Sequence, residues 1–169
     1  MLPISQLFNR YPRLVHDLTR NNNKKVNLVV EGEDTELDKM VVEKLSDPLI
    51  HIIRNAIDHG LENASQRSSV EKPETGRLFL KAYHESNQVV VEITDDGRGI
   101  DPNLVKANAI EKGVVSKNEA DRMLPQEIIR LITAASSSTA DEITGTSGRG
   151  VCMAVVRKNI EKLSGPLEI

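Results

Sequence analysis

Three short segments concentrate the residue types that chemistry needs: Asn55-Ala56-Ile57-Asp58-His59-Gly60, Asp95-Asp96-Gly97-Arg98-Gly99 and Gly148-Arg149-Gly150. An amide, an acid and glycine clusters of this kind suit a pocket for a nucleotide and its metal ion. An amide oxygen is acceptable to a hard cation, a carboxylate accepts hydrogen from a base edge, and glycines let the backbone come close to a flat ring or an anion.

Each segment taken alone also has an ordinary reading. At about 100° per residue, Leu49, Ile50, Ile52, Ile53, Ala56 and Ile57 fill one arc of a helix, and His51, Arg54, Asn55, Asp58 and His59 fill the opposite arc. That polar face has no Lys or Glu, yet it reads as a solvated surface as readily as a site. Asp95 to Gly99 alone reads as a tight turn after an edge strand. Gly148-Arg149-Gly150 alone reads as a loop. The weight lies in the combination.

The elements that must position these residues alternate along the chain. Ile4 to Arg20 is predicted as one helix with Leu7, Phe8, Leu14, Val15 and Leu18 in an apolar stripe and a kink at Pro12, ended by Asn21-Asn22-Asn23. Val26 to Glu31 is predicted as a strand, Gly32-Glu33-Asp34 as a turn and Leu37 to Leu45 as a short helix. Asp47-Pro48 reads as a fresh helix start, with Asp as the cap and Pro in the first turn. Glu62 to Gly76 reads as a polar, exposed linker. Leu78 to His84 and Gln88 to Thr94 form a predicted hairpin through Glu85-Ser86-Asn87, delivering Asp95 at a strand end.

Asp101-Pro102 opens a predicted helix to Glu111, stopped by Gly113, and Pro125 to Ile132 is another. Thr133 to Gly150, rich in small and hydroxylated residues, reads as a mobile loop. It leads into glycines opening a helix of Val151, Val155, Val156 and Ile160, where unpaired amides and the dipole suit an anion.

Composition narrows the classes. A chain of 169 residues suits one domain with its own core. A net charge of −3 argues against nucleic acid as partner. The sequence has neither an apolar run long enough to span a bilayer nor a signal-peptide pattern. A lone Cys152 rules out an internal disulfide, so the expected setting is reducing and cytoplasmic.

Together the motifs resemble the ATP-binding domain of the GHKL superfamily, which includes gyrase, heat-shock chaperones, histidine kinases and the MutL ATPases. Within it the sequence is most similar to chemotaxis histidine kinases of the CheA type. The resemblance covers nearly the whole chain. It rests on Pro3-Ile4-Ser5, Phe8-Asn9-Arg10, Pro12-Arg13, Gly32 through Asp38, His51 through Gly60, Asp95 through Asp101 and Ser147 through Val151.

That resemblance implies an α/β two-layer sandwich, the GHKL or Bergerat fold, with a mixed sheet and helices on one face. It implies ATP and Mg as cofactors, with Asn55 ligating the metal and His51, one turn earlier, approaching the terminal phosphate. His59 would line the same side, with Asp58 also among the nucleotide-binding residues. Asp95 would accept the adenine amino hydrogen, with Gly97 and Gly99 keeping the base pocket open and Ile100 beside it. Gly148 and Gly150 would approach the phosphates, with Ser147, Arg149 and Met153 also among the nucleotide-binding residues, and an ATP lid would span about 133–150. A Glu at the position of His51 would suit hydrolysis, as in gyrase-like and chaperone-like ATPases. A histidine suits phosphoryl transfer to another protein, which needs positioning and charge neutralisation more than a strong base.

Departures from the family pattern are specific. Cys152 stands where the third lid-hinge glycine is expected, and Ala154 replaces an Asp. Thr133-Ala134-Ala135-Ser136-Ser137 replaces Phe-x-Pro-Gly-Phe. A catalytically weakened nucleotide-sensing or scaffolding module is therefore the alternative to an active kinase core, and a gyrase-like ATPase a lesser one. Residues 1–20 resemble a join from a dimerisation region, residues 21–169 the catalytic domain, and further closing strands are expected after Leu167-Glu168-Ile169. The implied partners are a histidine phosphotransfer domain, a response regulator, and a coupling protein with its chemoreceptor array. No nucleic acid or membrane insertion is implied; the parent would be a homodimer and the isolated domain a monomer.

Overall fold

Alternating burial along Leu78, Leu80 and Ala82, against exposed Arg77 and Lys81, fixes which face of the sheet is covered. The computed structural model describes residues 1–134, which divide into a unit of Met1–Gly99 and a second unit beginning at Ile100. The first unit runs β1 (Leu2–Pro3), α1 (Ser5–Phe8), α2 (Tyr11–Asn22), β2 (Val26–Glu31), β3 (Glu36–Leu37) and α3 (Lys39–Asn55). A π-helical turn (Ala56–Gly60), α4 (Ala64–Ser69), β4 (Gly76–Glu85) and β5 (Gln88–Asp95) complete it.

The sheet is mixed. Strand β2 lies parallel to β4, with Leu28 opposite Leu78 and Val30 opposite Leu80. Strand β5 lies antiparallel on the other side of β4, with Ile93 opposite Leu80 and Val91 opposite Ala82. These inward residues share one core with Phe8, Tyr11 and Val15 and with Val42, Leu49, Ile53 and Ile57, so α1, α2 and α3 cover one face. Burial of this aliphatic set is the main stabilising contribution, because aromatic residues make up only 2% of the chain. The α/β architecture with a mixed sheet and helices on one face agrees with the sequence reading.

Three elements differ from it. Ile4 to Arg20 is two helices, and Pro12 lies in the first turn of α2, where its missing N–H costs nothing. Leu37 to Leu45 and the segment after Pro48 are one helix, α3, capped by Asp38, whose carboxylate accepts the Met40 amide at 2.8 Å. Asp47 is not its cap. Pro48 removes one backbone hydrogen bond in mid-helix, but it is buried beside Val42, Leu49 and Ile53, and that burial keeps the helix continuous. The segment from Glu62 to Gly76 is not an exposed linker: it holds α4, with a reciprocal Asn63–Gln66 capping box, and it buries Glu62 and Arg67.

The predicted hairpin is present, each strand slightly longer, around a tight Ser86-Asn87 connection with Ser86 at φ 54°. In the second unit α5 (Pro102–Glu111) starts as the sequence indicates, with Asp101 accepting from Asn103 at 2.9 Å. Gly113 follows at φ 72°. An unanticipated α6 (Lys117–Arg122) carries a second capping box, Ser116 with Glu119. The last helix among the described residues, α7 (Pro125–Ala134), includes Thr133 and Ala134, so those residues are helical rather than part of a loop. Ala109, Ala120 and Ile128 are buried in this unit.

Candidate functional site

The helical partition expected around Asn55 is present. Leu49, Ile53, Ala56 and Ile57 are buried, whereas His51, Asn55, Asp58 and His59 are half-buried and Arg54 is exposed. Asn55 is the last residue of α3; beyond it the backbone widens into the π-turn, where the Leu61 amide donates to the Ala56 carbonyl at 2.7 Å. Widened turns of this kind redirect the side chains that follow them and recur at functional sites.

The turn is tied from α2. Asn22 Nδ2 donates to Asp58 Oδ1 at 2.8 Å, and Lys24 Nζ donates to the carbonyls of Ile57 and of Asp58, the latter at 2.9 Å. Burial pushes the Lys24 pKa below its ordinary value; the Asp58 carboxylate opposes this and the Arg98 charge reinforces it. Asn22 and Lys24 are therefore supports that sequence reasoning did not single out.

Register places Asp95 on the covered face of β5, in phase with Ile93 and Val91. Its Oδ1 accepts the Gly97 amide at 2.9 Å, which folds the chain back over its own carboxylate. A Cβ on Gly60 would lie 3.3 Å from that same oxygen, so the π-turn ends against Asp95. The two glycines of the segment serve different ends. A Cβ on Gly97 would fall 2.1 Å from the Gly60 carbonyl oxygen, whereas Gly99 has open space but sits at φ 71°, a backbone conformation costly for other residues.

Behind Asp95 lies a charged cluster absent from the sequence reading. Arg67, only 1% exposed, grips Asp96 with both guanidinium ends, Nη1 to Oδ1 at 3.2 Å and Nη2 to Oδ2 at 3.1 Å. Glu62 accepts from Lys72 at 3.0 Å and from Arg67 at 3.5 Å. Burial works to raise the Asp96 and Glu62 pKa values. For Asp96 it is outweighed by hydrogen bonds from the Arg77 amide and Arg67 and by the Arg67 and Lys72 charges. For Glu62 a backbone hydrogen bond, Lys72 and Arg67 outweigh it, so both carboxyls titrate below the usual range. An Arg within a run of polar residues gives no sequence signal of burial; the Asn63-x-x-Gln66 box was the only legible mark of a helix there.

The structure thus brings His51, Asn55, Asp58 and His59 onto one helix end, and Gly60, Asp95 and Gly97 into contact. Ile100 belongs to the second unit and is 43% exposed. Ser147, Gly148, Arg149, Gly150, Cys152, Met153 and Ala154, and the expected lid beyond Ala134, lie outside the described residues. Among the described residues no cluster of three His, Cys, Asp or Glu could hold a metal by itself. A single amide such as Asn55 fits magnesium, which keeps several waters and takes its remaining ligands from bound phosphates. The opposite sheet face carries a cavity of about 250 Å³ bordered by Val29, Phe79, Lys81, Glu92 and Thr94; none of the candidate site residues lines it.

Comparison with known proteins identifies the family. Residues 44–169 match the family described as histidine kinase-, DNA gyrase B-, and HSP90-like ATPase. The whole chain is 51% identical to part of the sensor histidine kinase CheAY of Helicobacter pylori, covering 21% of that protein. It is 47% identical to the chemotaxis protein CheA of Treponema pallidum over 21% of its length, and 43% identical to that of Bacillus subtilis over 25%. The chain therefore spans about a fifth to a quarter of these curated relatives. Among solved structures, the histidine kinase domain of the Erythrobacter litoralis EL346 blue-light activated histidine kinase aligns with 79% of this chain and 55% of its own, at 15% identity and a TM-score of 0.42.

Proposed function

Because the chain belongs to the family of histidine kinase-, DNA gyrase B- and HSP90-like ATPases, we propose that it is the ATP-binding catalytic domain of a chemotaxis-type histidine kinase, transferring the ATP γ-phosphoryl group to a histidine of a separate phosphotransfer domain. The carrying observation is the contact of Gly60, at the end of the Asn55 helix, with Asp95 and Gly97. One connected backbone feature thereby joins a base-reading carboxylate to an amide suited to the metal.

In this reading Asp95 Oδ accepts the exocyclic amino hydrogen of adenine, and Gly97, lacking a Cβ, lets the turn after Asp95 close against the Gly60 carbonyl. Asn55 holds magnesium, which neutralises phosphate charge and orients the γ-phosphoryl group. His51 sits one helical turn before Asn55 and is placed toward the same end, where a phosphoryl transfer needs alignment rather than a carboxylate base. Asp58 and His59 border the pocket, while Ile100, Ser147, Gly148, Arg149, Gly150 and Met153 are proposed to complete its base and phosphate sides. Residues 21–169 form the proposed catalytic domain, residues 1–20 the join from a dimerisation region, and a lid precedes Gly150.

The proposed partners are those of chemotaxis signalling: a response regulator that receives the phosphoryl group, and a coupling protein with its receptor array, reached through a homodimeric parent in the cytoplasm. No described helix is long and apolar enough to cross a membrane.

The test is magnesium-dependent ATP binding by titration calorimetry, followed by transfer of labelled phosphate to a supplied histidine phosphotransfer domain, with Asn55→Ala as control. Binding with transfer is expected. Binding without transfer would instead support the weakened sensing module that Cys152 and Ala154 suggest, and hydrolysis without transfer a gyrase-like ATPase.

A further inference from the structure

The cluster of buried Arg67 and Glu62 with half-exposed Asp96 and Lys72 takes no direct part in the proposed chemistry, yet it holds the segment that does. Asp96 follows Asp95 without a spacer, and all of its polar groups are occupied from behind. Its carboxylate accepts from both ends of the Arg67 guanidinium and from the Arg77 amide, the last at 2.8 Å. Its carbonyl accepts from Lys72 Nζ at 3.1 Å and from Arg67 Nη1 at 3.3 Å. Lys72 Nζ also donates to the Gly97 carbonyl at 2.8 Å. The Arg67 Nε donates to Pro73 at 2.6 Å, which anchors the guanidinium plane.

A planar fork fixes a carboxylate in angle as well as distance, which a lysine ammonium does not. We infer that Arg67 and Lys72 are positioning residues for adenine selectivity: they set the pose of the Asp95–Gly97 turn and so aim the Asp95 carboxylate. This rests on the reading of Asp95 as the adenine acceptor. The cations of the α4 segment hold the neighbouring carbonyls of Asp96 and Gly97, so the Asp95 carboxylate, which accepts the Gly97 amide, makes no bond to Arg67 or Lys72 itself. Glu62 balances the two cations, so the four groups carry no net charge.

The experiment compares ATP with inosine triphosphate, which has a carbonyl where adenine has its amino group. A hydrogen bond to a charged acceptor predicts ~10- to 100-fold preference for ATP in the unaltered chain. Arg67→Lys and Lys72→Met are expected to weaken ATP binding about tenfold while leaving inosine triphosphate binding nearly unchanged, so the preference collapses. Thermal melts monitor folding. Lys72 is one-third exposed, so its variant decides the matter if Arg67→Lys does not fold. Folded variants that keep the full preference would overturn the inference, as would an equal loss for both nucleotides, the mark of a merely structural role. An unaltered chain that binds ATP without preferring it removes the adenine role of Asp95 instead, and this inference with it.

Discussion

Gly60 and Gly97 meet backbone to backbone: a Cβ on Gly97 would lie 2.1 Å from the Gly60 carbonyl oxygen, which also accepts the Arg98 amide at 2.9 Å. The end of the α3 segment and the exit of β5 are thus in direct register, with no side chain between them.

Gly97→Ala is therefore expected to force the turn apart. The clash is with backbone and cannot be relieved by a rotamer, so a loss of about 1–3 kcal/mol follows from overpacking. Nucleotide binding should weaken with it. Gly60→Ala meets only the Asp95 carboxylate, at 3.3 Å, and should cost less. Chemical denaturation of both variants, with ATP titrations, checks the ranking; equal costs would contradict it.

Asn55→Ala should abolish the magnesium dependence of ATP binding more than binding itself, because the proposed adenine acceptor, Asp95, stands at the end of β5 and not on α3. Titrations with and without magnesium read this directly. A variant whose affinity still rises with magnesium as in the unaltered chain would remove Asn55 from the metal.

His51→Ala should leave ATP affinity within a few-fold while slowing phosphoryl transfer by ~10²–10⁴, the range for a positioned proton-transfer or hydrogen-bonding group. Single-turnover transfer to a phosphotransfer domain separates the two quantities. A loss confined to affinity would place His51 in binding alone.

Acid should release the Arg67 cluster. The pKa values of Asp96 and Glu62 are depressed on folding, so their stabilising contribution is complete above their ordinary values near 3.8 and 4.5. It is lost as pH falls through the lower folded values. Melting temperature should therefore drop steeply only below that range, and Asp96→Asn should flatten the drop. An acid limb unchanged in Asp96→Asn would exclude the pair as its cause.

Much of the local structure that carries the candidate residues was legible because it is fixed by local rules. Asp101-Pro102 behaves as capping chemistry requires, the Asp95 segment leaves a hairpin of strict alternation, and the partition of polar and apolar residues around Asn55 follows the helical period. Elsewhere tertiary packing overrode the local signal. Asp47-Pro48 has the form of a helix start, yet Pro48 is carried through α3 by its place in the core. Arg67 is hidden for the opposite reason: a cation becomes a core residue only when carboxylates close around it, and no periodicity encodes the distant Asp96 as its partner. Lys24 supports the π-turn through carbonyls, which leave no trace in residue types.

The strand order also dictates when the candidate site can assemble. β4 and β5 are joined by a two-residue turn and can zip locally within ~1–10 μs, whereas β2 reaches β4 only after the chain has passed through α3, the π-turn and α4. Closing that longer loop is entropically costlier and comes later. Asp95 ends the early hairpin, with Gly97 two residues beyond it, and Gly60 belongs to the late crossover. If the proposed site is right, a half-folded chain offers a nucleotide only one wall, so ATP should bind the finished domain alone and its melting temperature should rise with occupancy.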